Sequence, residues 1–323
     1  MQIFSKDKTY PFMNVSPYFL VLSLLLMVAS LFLLGTRGLN YGIDFSGGTL
    51  IQVKYDKPVS LDVIRQSIAQ DPLFRDASVT KFGSDEEVVI RFSGSTESVE
   101  EDAGDVALRV LQNTGEFEIR RVDMVGPKVG AELREKGVMA LVVSIIAILA
   151  YIAYRFEWRF GIAAVVALIH DISIVVGALV LFRVDINLDI LAALLTILGY
   201  SLNDTIIVFD RIRESTKESK TLDLKEVINY SVSQTLSRTL LTSLTTFFVV
   251  LTLFSFGGEI IHGFGFTLLV GILVGTYSSI FVASPTLQWL RFDVKGYKNK
   301  EAEKEKRRLE KEKMRAQYER GVV

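Results

Sequence analysis

Cysteine is absent from the chain. Disulfides, Cys-ligated metal sites and thiol nucleophiles are therefore excluded, although no compartment is. Histidine is nearly absent too. The two that occur, His170 and His262, are too few to build a His-based metal site. A nucleotide signature is also missing. The run Gly42 to Gly48, GIDFSGG, lacks the G-K-[ST] of a P-loop and precedes a strand pattern rather than a helix. Any work the protein does must draw on an ion gradient or on a partner. The formal net charge of −1 hides a strong segregation of charge between loops and apolar blocks, so it says nothing about partners.

Apolar residues are plentiful and come in blocks. Of 323 residues 50% are hydrophobic and the mean hydropathy is +0.35, which points to an integral membrane protein. Six blocks are long enough to span a bilayer: 17–36, 137–154, 160–182, 188–209, 239–256 and 264–290. Lys6 and Lys8 precede the first, as in a signal peptide. That block is longer than a usual signal core and no A-x-A site follows, so it reads as a retained anchor after a polar segment over 1–16. Pro285 is a potential kink in the sixth span.

Hydrophobicity falls over 37–133, where a small α+β domain is expected. Tyr41 to Tyr55 alternates as a strand, and Ser60 is placed to cap a short helix ending before Pro72. Ala77 to Phe82 and Glu87 to Phe92 read as a hairpin around Gly83 to Glu86. Ser98 and Glu101 form a capping-box pattern for a second helix, and Phe117 to Val125 alternates again. The order β-α-β-β-α-β is ferredoxin-like. The expected fold is thus an α-helical polytopic membrane protein. It has six transmembrane helices and one extracytoplasmic α+β (ferredoxin-like βαββαβ) domain between helices 1 and 2.

Charge between spans sets the expected orientation. Lys6 and Lys8, Arg155 and Arg159, the stretch Arg211 to Lys225 and the tail 291–323 are basic; the alternate loops are not. Both termini are placed on the cytoplasmic side. The Lys- and Glu-rich tail reads as a solvated helix or a disordered segment, and 210–238 as an amphipathic helix on the membrane surface.

The fourth block carries Asn203 and Asp204 inside apolar limits. A carboxylate there costs roughly 2.5–3.5 kcal/mol on insertion scales, so its presence asks for a reason. Thr196, Tyr200, Asn203 and Asp204 share one helical stripe, with Ile197, Leu198, Leu202, Ile206 and Val208 on other faces. The stripe is expected to face a bundle and the apolar side to face lipid; a buried soluble helix with one polar edge is the competing reading. Arg238 enters the fifth span at similar depth, on a stripe with Thr235, Thr242, Thr245 and Thr246. Two readings stand for the pair: a static ion pair, or a switch in which proton uptake by Asp204 frees Arg238. Arg238 could also snorkel to the interface without a partner.

His170 and Asp171 lie near the middle of the third span, candidates for a proton path or for a structural hydrogen-bonded network. Metal phosphohydrolases also use an HD pair, but the further His ligands are missing. An intramembrane aspartyl protease using Asp171 and Asp204 would need Y-D and G-x-G-D motifs, and neither occurs. Gly271 and Gly275 form a G-x-x-x-G that permits close helix packing.

Four stretches carry a family resemblance: GIDFSGGT at 42–49, VGPKVGAEL at 125–133, FEWRFGIAAVVALIHD at 156–171, and GYSLNDTIIVFDRIRE in the fourth span with SQTLSRTLLTS at 233–243. Together they make the chain similar to the SecD/SecF family of protein-export membrane proteins, within the resistance-nodulation-division superfamily of proton-driven exporters. The resemblance implies a chain of the bacterial cytoplasmic (inner) membrane that pairs with SecD as a heterodimer. It further implies work with the SecYEG channel and often YajC, promoting preprotein translocation with the proton-motive force. It implies protons as the coupling ion, and no enzyme activity, cofactor, metal or nucleic-acid partner. It places the proton path on Asp204 and Arg238, with Asn203 beside them and Asp171, His170, Tyr200 and Thr242 as secondary candidates. A proton-coupled small-molecule or lipid exporter subunit is the alternative.

Overall fold

A computed structural model describes residues 8–93, 103–219 and 221–319. The first helix, α1 (Phe12–Arg37), follows the first apolar block and ends where Gly38 turns to φ +66°. A one-turn helix, α2 (Ile43–Ser46), leads through Gly47 and Gly48 into β1 (Gly48–Tyr55). The strand expected from Tyr41 therefore begins only at Gly48. Gly47 and Gly48 hold φ +74° and +119°, which breaks extended backbone, and the Ser46 hydroxyl donates back to the Gly42 carbonyl at 3.0 Å.

Next come α3 (Leu61–Ile68), β2 (Ser78–Phe82), β3 (Ser84–Phe92), α4 (Ala103–Leu111) and β4 (Phe117–Val125). Ser60 stands at the N-cap of α3, but its side chain makes no capping bond. The hairpin turns more tightly than expected, at Gly83, where φ is +73°. Ser98 and Glu101 lie outside the described residues. The sheet order β2-β3-β1-β4, antiparallel throughout, is that of a βαββαβ ferredoxin-like domain. Ile51, Val53, Val88 and Ile90 pack on Ile64, Ile68, Val106 and Leu111 of the two helices. The opposite face presents Leu50, Gln52 and Arg91.

The remaining long helices are α5 (Pro127–Arg155), α6 (Trp158–Leu181), α7 (Leu188–Glu218) and α8 (Leu224–Phe256). The last run comprises α9 (Glu259–Ser278), a π-helical turn over Ser279–Ala283 and α10 (Ser284–Trp289). With α1, six helices among the described residues are long and apolar enough to cross a membrane. Large apolar side chains such as Leu24, Phe32, Val143 and Val249 are exposed on them, as lipid contact requires. Among the described residues no surface helix separates α7 from α8. Val227, Ile228, Val232 and Leu236 belong to α8 itself and pack on Phe209 and Ile212, so their apolar stripe faces α7. A final helix, α11 (Val294–Glu319), holds the charged tail. Lys217 and Lys304 donate to Glu301 at 2.6 and 2.8 Å, holding its carboxyl down at about 2 and tying α11 to the end of α7.

The sheet domain is stitched to the bundle at the start of α7. Gly42 N–H donates to the Ile186 carbonyl at 2.8 Å, and Ile186 N–H to the Asn40 carbonyl at 2.7 Å. Asp44 accepts from the Leu188 N–H at 3.0 Å, placing a carboxylate at the positive end of α7, where Asn187 also caps Ile190. Arg91 of β3 pairs with Asp185, which Asn40 also contacts. Asp185→Ala should leave Arg91 without its counter-ion. We expect faster amide hydrogen exchange over 40–48 and 183–188, with α3 and α4 unchanged. Equal exchange in both proteins would show that the pair carries no stitching.

Candidate functional site

Two apolar cores fill the bundle, and a polar layer lies between them along each helix. On α6, Ala163, Ala164 and Ala167 belong to one core and Val175 and Leu179 to the other. On α7, Ile190 and Ile197 belong to the second and Val208 and Ile212 to the first. His170, Asp171, Ser201, Asp204, Ser243, Thr276 and Ser278 occupy the space in between.

Within that layer α7 is turned differently from the expectation. Ile197, Leu198 and Val208 are buried in the bundle, while Thr196 and Asn203 are exposed. Exposed positions on α7 recur as Asp189, Ala192, Thr196, Gly199 and Asn203, a continuous column of small and polar residues. The expected polar stripe therefore splits. One residue of helix is about 100° of rotation, enough to turn Asn203 outward and Asp204 inward. Tyr200 lies at the border, with its hydroxyl buried and unpartnered.

Asp204 is 1% exposed. Its Oδ2 accepts from the Ser243 hydroxyl at 3.0 Å, and Thr276 donates to Ser243 at 2.8 Å. Its Oδ1 is buried without a partner. Arg238 is exposed, and among the described residues no ion pair joins it to Asp204. The facing pair suggested by depth is thus not formed in this state. Arg238 lies five positions before Ser243, about 140° around α8, so a helix that turns Ser243 inward turns Arg238 outward. Thr242 spends its hydroxyl on the backbone, donating to the Arg238 and Thr239 carbonyls.

Asp171 is 0% exposed and fully engaged. Its Oδ1 meets His170 Nδ1 at 2.8 Å, and its Oδ2 accepts from Ser201 at 2.5 Å and Ser278 at 2.8 Å. One carboxylate thus ties α6, α7 and α9 together. Close packing makes this possible: a Cβ on Gly275 would lie 3.0 Å from Ser201 Cβ, and one on Gly271 would lie 2.4 Å from Ile197 Cδ1. The G-x-x-x-G therefore closes α9 onto α7 and brings both serines to one oxygen. Asp171 and Asp204 share no hydrogen bond, so they do not form a protease dyad. Among the described residues no group of His, Asp and Glu could hold a metal ion. Ser201, Ser243, Thr276 and Ser278 escaped the sequence reading as site residues. Their signal was a lone hydroxyl in an apolar helix near an acid or a glycine.

The chain matches the family described as "Protein export membrane protein SecD/SecF, C-terminal" over residues 106–293, and the SecD/SecF GG motif over residues 32–59. The Protein translocase subunit SecF of Helicobacter pylori strain J99 is 46% identical over 323 residues, covering 100% of both chains. That of Vibrio alginolyticus is 48% identical over 285 residues, 88% of this chain and 90% of the relative. Among solved structures, SecDF, a translocon-associated membrane protein from Thermus thermophilus, covers 90% of this chain at 35% identity with a TM-score of 0.82. SecDF in a super-membrane-facing form covers 92% at 36% identity with a TM-score of 0.66. This chain spans 40% of the length of each of those SecDF chains.

Proposed function

Because the chain belongs to the SecD/SecF family of protein-export membrane proteins, we propose that it is the translocase subunit that couples proton flow to preprotein movement. It acts as an accessory subunit of the protein translocase and not as an enzyme. The observation that carries the coupling is Asp204, a carboxylate buried inside an apolar bundle with one hydroxyl partner and one free oxygen. Ionised, it requires more than the Ser243 hydroxyl supplies, because a buried unpaired charge costs several kcal/mol. Arg238 is the cation placed to meet it, and a turn of α8 would bring the two together. Uptake of a proton by Asp204 releases that demand, and loss of the proton restores it.

The half-bundle is completed by SecD. The exposed column Asp189, Ala192, Thr196, Gly199 and Asn203, with Arg238 and Thr245 on α8, puts small and polar groups where lipid would be a poor solvent. A second membrane subunit covering that face would place Asn203 and Arg238 within the joint interior. That this chain spans 40% of each SecDF match agrees with such a division of labour. Both termini lie in the cytoplasm of a bacterium with its inner membrane spanned six times, and the sheet domain faces outward, where preprotein emerges from SecYEG; YajC completes the assembly. A membrane potential of about 100 mV supplies roughly 2.3 kcal/mol per charge moved, enough to shift a two-state equilibrium tens-fold.

Inverted membrane vesicles depleted of this chain test the proposal. We expect ATP-driven preprotein uptake to persist and its stimulation by a proton gradient to vanish, returning when the chain is restored. Undiminished stimulation in depleted vesicles would overturn it.

A further inference from the structure

His170 carries the feature that the Asp204 cycle leaves unused. Its ring is 2% exposed, its Nδ1 is bound to Asp171, and its Nε2 is buried with no partner. A network built only to hold helices together would satisfy both nitrogens, since an unpartnered buried polar atom costs about 1–3 kcal/mol. Asp171 is the converse case. Two hydroxyls, Ser201 on α7 and Ser278 on α9, donate to its Oδ2, and His170 Nδ1 on α6 stands 2.8 Å from its Oδ1, surroundings that suit an ionised carboxylate. With Nδ1–H donating to that carboxylate, the pair carries a net charge of −1 and Nε2 presents a bare lone pair.

We infer that the His170–Asp171 pair is a second proton-binding site of the bundle, filled and emptied through His170 Nε2. The step is balanced: one proton from water forms an N–H bond at Nε2, and the pair passes from net −1 to a neutral imidazolium–carboxylate. Among the described residues no further ion pair reaches either member. On α7 the titratable neighbour is Asp204, one turn beyond Ser201. On α8 Arg238 is exposed and acts electrostatically on Asp204, with no ion pair to Asp171 among the described residues. On α9 Tyr277 stands with its ring 5.8 Å from that of His170, its hydroxyl meeting Ser23 and donating to the Phe19 carbonyl at 2.8 Å. On α1 that contact brings only the Ser23 hydroxyl and a carbonyl.

The site is joined to Asp204 through shared helices. Ser201 and Asp204 are three residues apart on α7, and Thr276 and Ser278 two apart on α9. A change in the net charge of the His170–Asp171 pair therefore pulls, through Ser201 and Ser278, on the two helices that also position Asp204 and its Ser243–Thr276 chain. This link to export rests on the proton-coupled reading above. The proton binding itself does not.

The chain holds two histidines, so 15N-histidine labelling gives a spectrum of two rings. The experiment is solid-state NMR of the full chain with SecD in lipid, titrated with pH. His170→Gln assigns the signals, and His262 serves as the internal control for an intact fold. We expect His170 to pass from the Nδ1–H form to imidazolium as pH falls. Asp171→Asn should weaken that proton binding about tenfold or more, because it removes an adjacent anion. Ser201→Ala should strengthen it, because the anion loses a donor, and this keeps the test open should Asp171→Asn fail to fold. A His170 ring that stays in one form while the fold is intact overturns the inference. So does a ring whose titration is the same in both variants. Gradient-dependent export plays no part in this readout, so its loss or survival in depleted vesicles judges the export reading separately.

Discussion

Asp204→Asn is expected to abolish the response of preprotein export to a proton gradient while leaving the chain assembled in its membrane. Asparagine keeps the size and can still accept from Ser243, which donates at 3.0 Å, so the packing between α7 and α8 survives. What it removes is the capacity to exchange a proton, and with it any demand for Arg238. The effect should be nearly complete, because a two-state device whose states are biased equally by the gradient is not shifted at all. Arg238→Met should match it for the opposite reason: the acid still titrates but finds no cation in its ionised state. Uptake by inverted vesicles, with and without an uncoupler, is the measurement. If either variant retains a wild-type response, the residue concerned has no part in coupling.

Gly48→Ala should produce the largest structural effect. Gly48 sits at φ +119°, and a Cβ there would lie 2.6 Å from the Phe92 carbonyl oxygen, backbone of the neighbouring strand that cannot swing aside. Strain of about 1–3 kcal/mol adds to an overpacking cost of about 1–3 kcal/mol. Together they claim a large part of the ~5–15 kcal/mol that holds a domain folded. Gly126→Ala is the control, with φ −65° and nothing within 4 Å of the added methyl. Proteolysis of the purified full chain should cut the sheet domain of Gly48→Ala well below the temperature at which Gly126→Ala is attacked. Equal resistance would mean that the junction relaxes at little cost.

The apolar blocks and the alternating strands made the architecture legible, because burial in lipid and in a sheet each impose a period that survives in one sequence. The facing of α7 did not survive in the same way. A polar stripe marks a face withheld from lipid, but the stripe alone does not say whether this chain or a partner covers it. Thr196 and Asn203 are exposed here while Asp204, one residue on, is buried. That Arg238 forms no ion pair with Asp204 here has a related reason: depth along a span can be counted, whereas rotation about α8 depends on Ser243 being turned inward. Asp171 was legible as an acid out of place, but its partners Ser201 and Ser278 come from helices 30 and 107 residues away. The GIDFSGG run lacks a nucleotide signature in the sequence, and its use as a joint became visible only with Pro127 and Phe92 packed against its glycines.

That joint has a mechanical consequence. Asp44 grips α7 at Leu188, and α7 runs unbroken from there past Asp204 to Glu218. From Leu188 to Asp204 is about 24 Å of helix at about 1.5 Å per residue, and a rocking of about 10° would give a stroke of some ~4 Å over that length. A floppy tether would soak up such a stroke. Here a helix dipole, an ion pair and a short parallel bridge clasp the rod's end, so a push delivered at Asp204 arrives at the sheet domain as displacement.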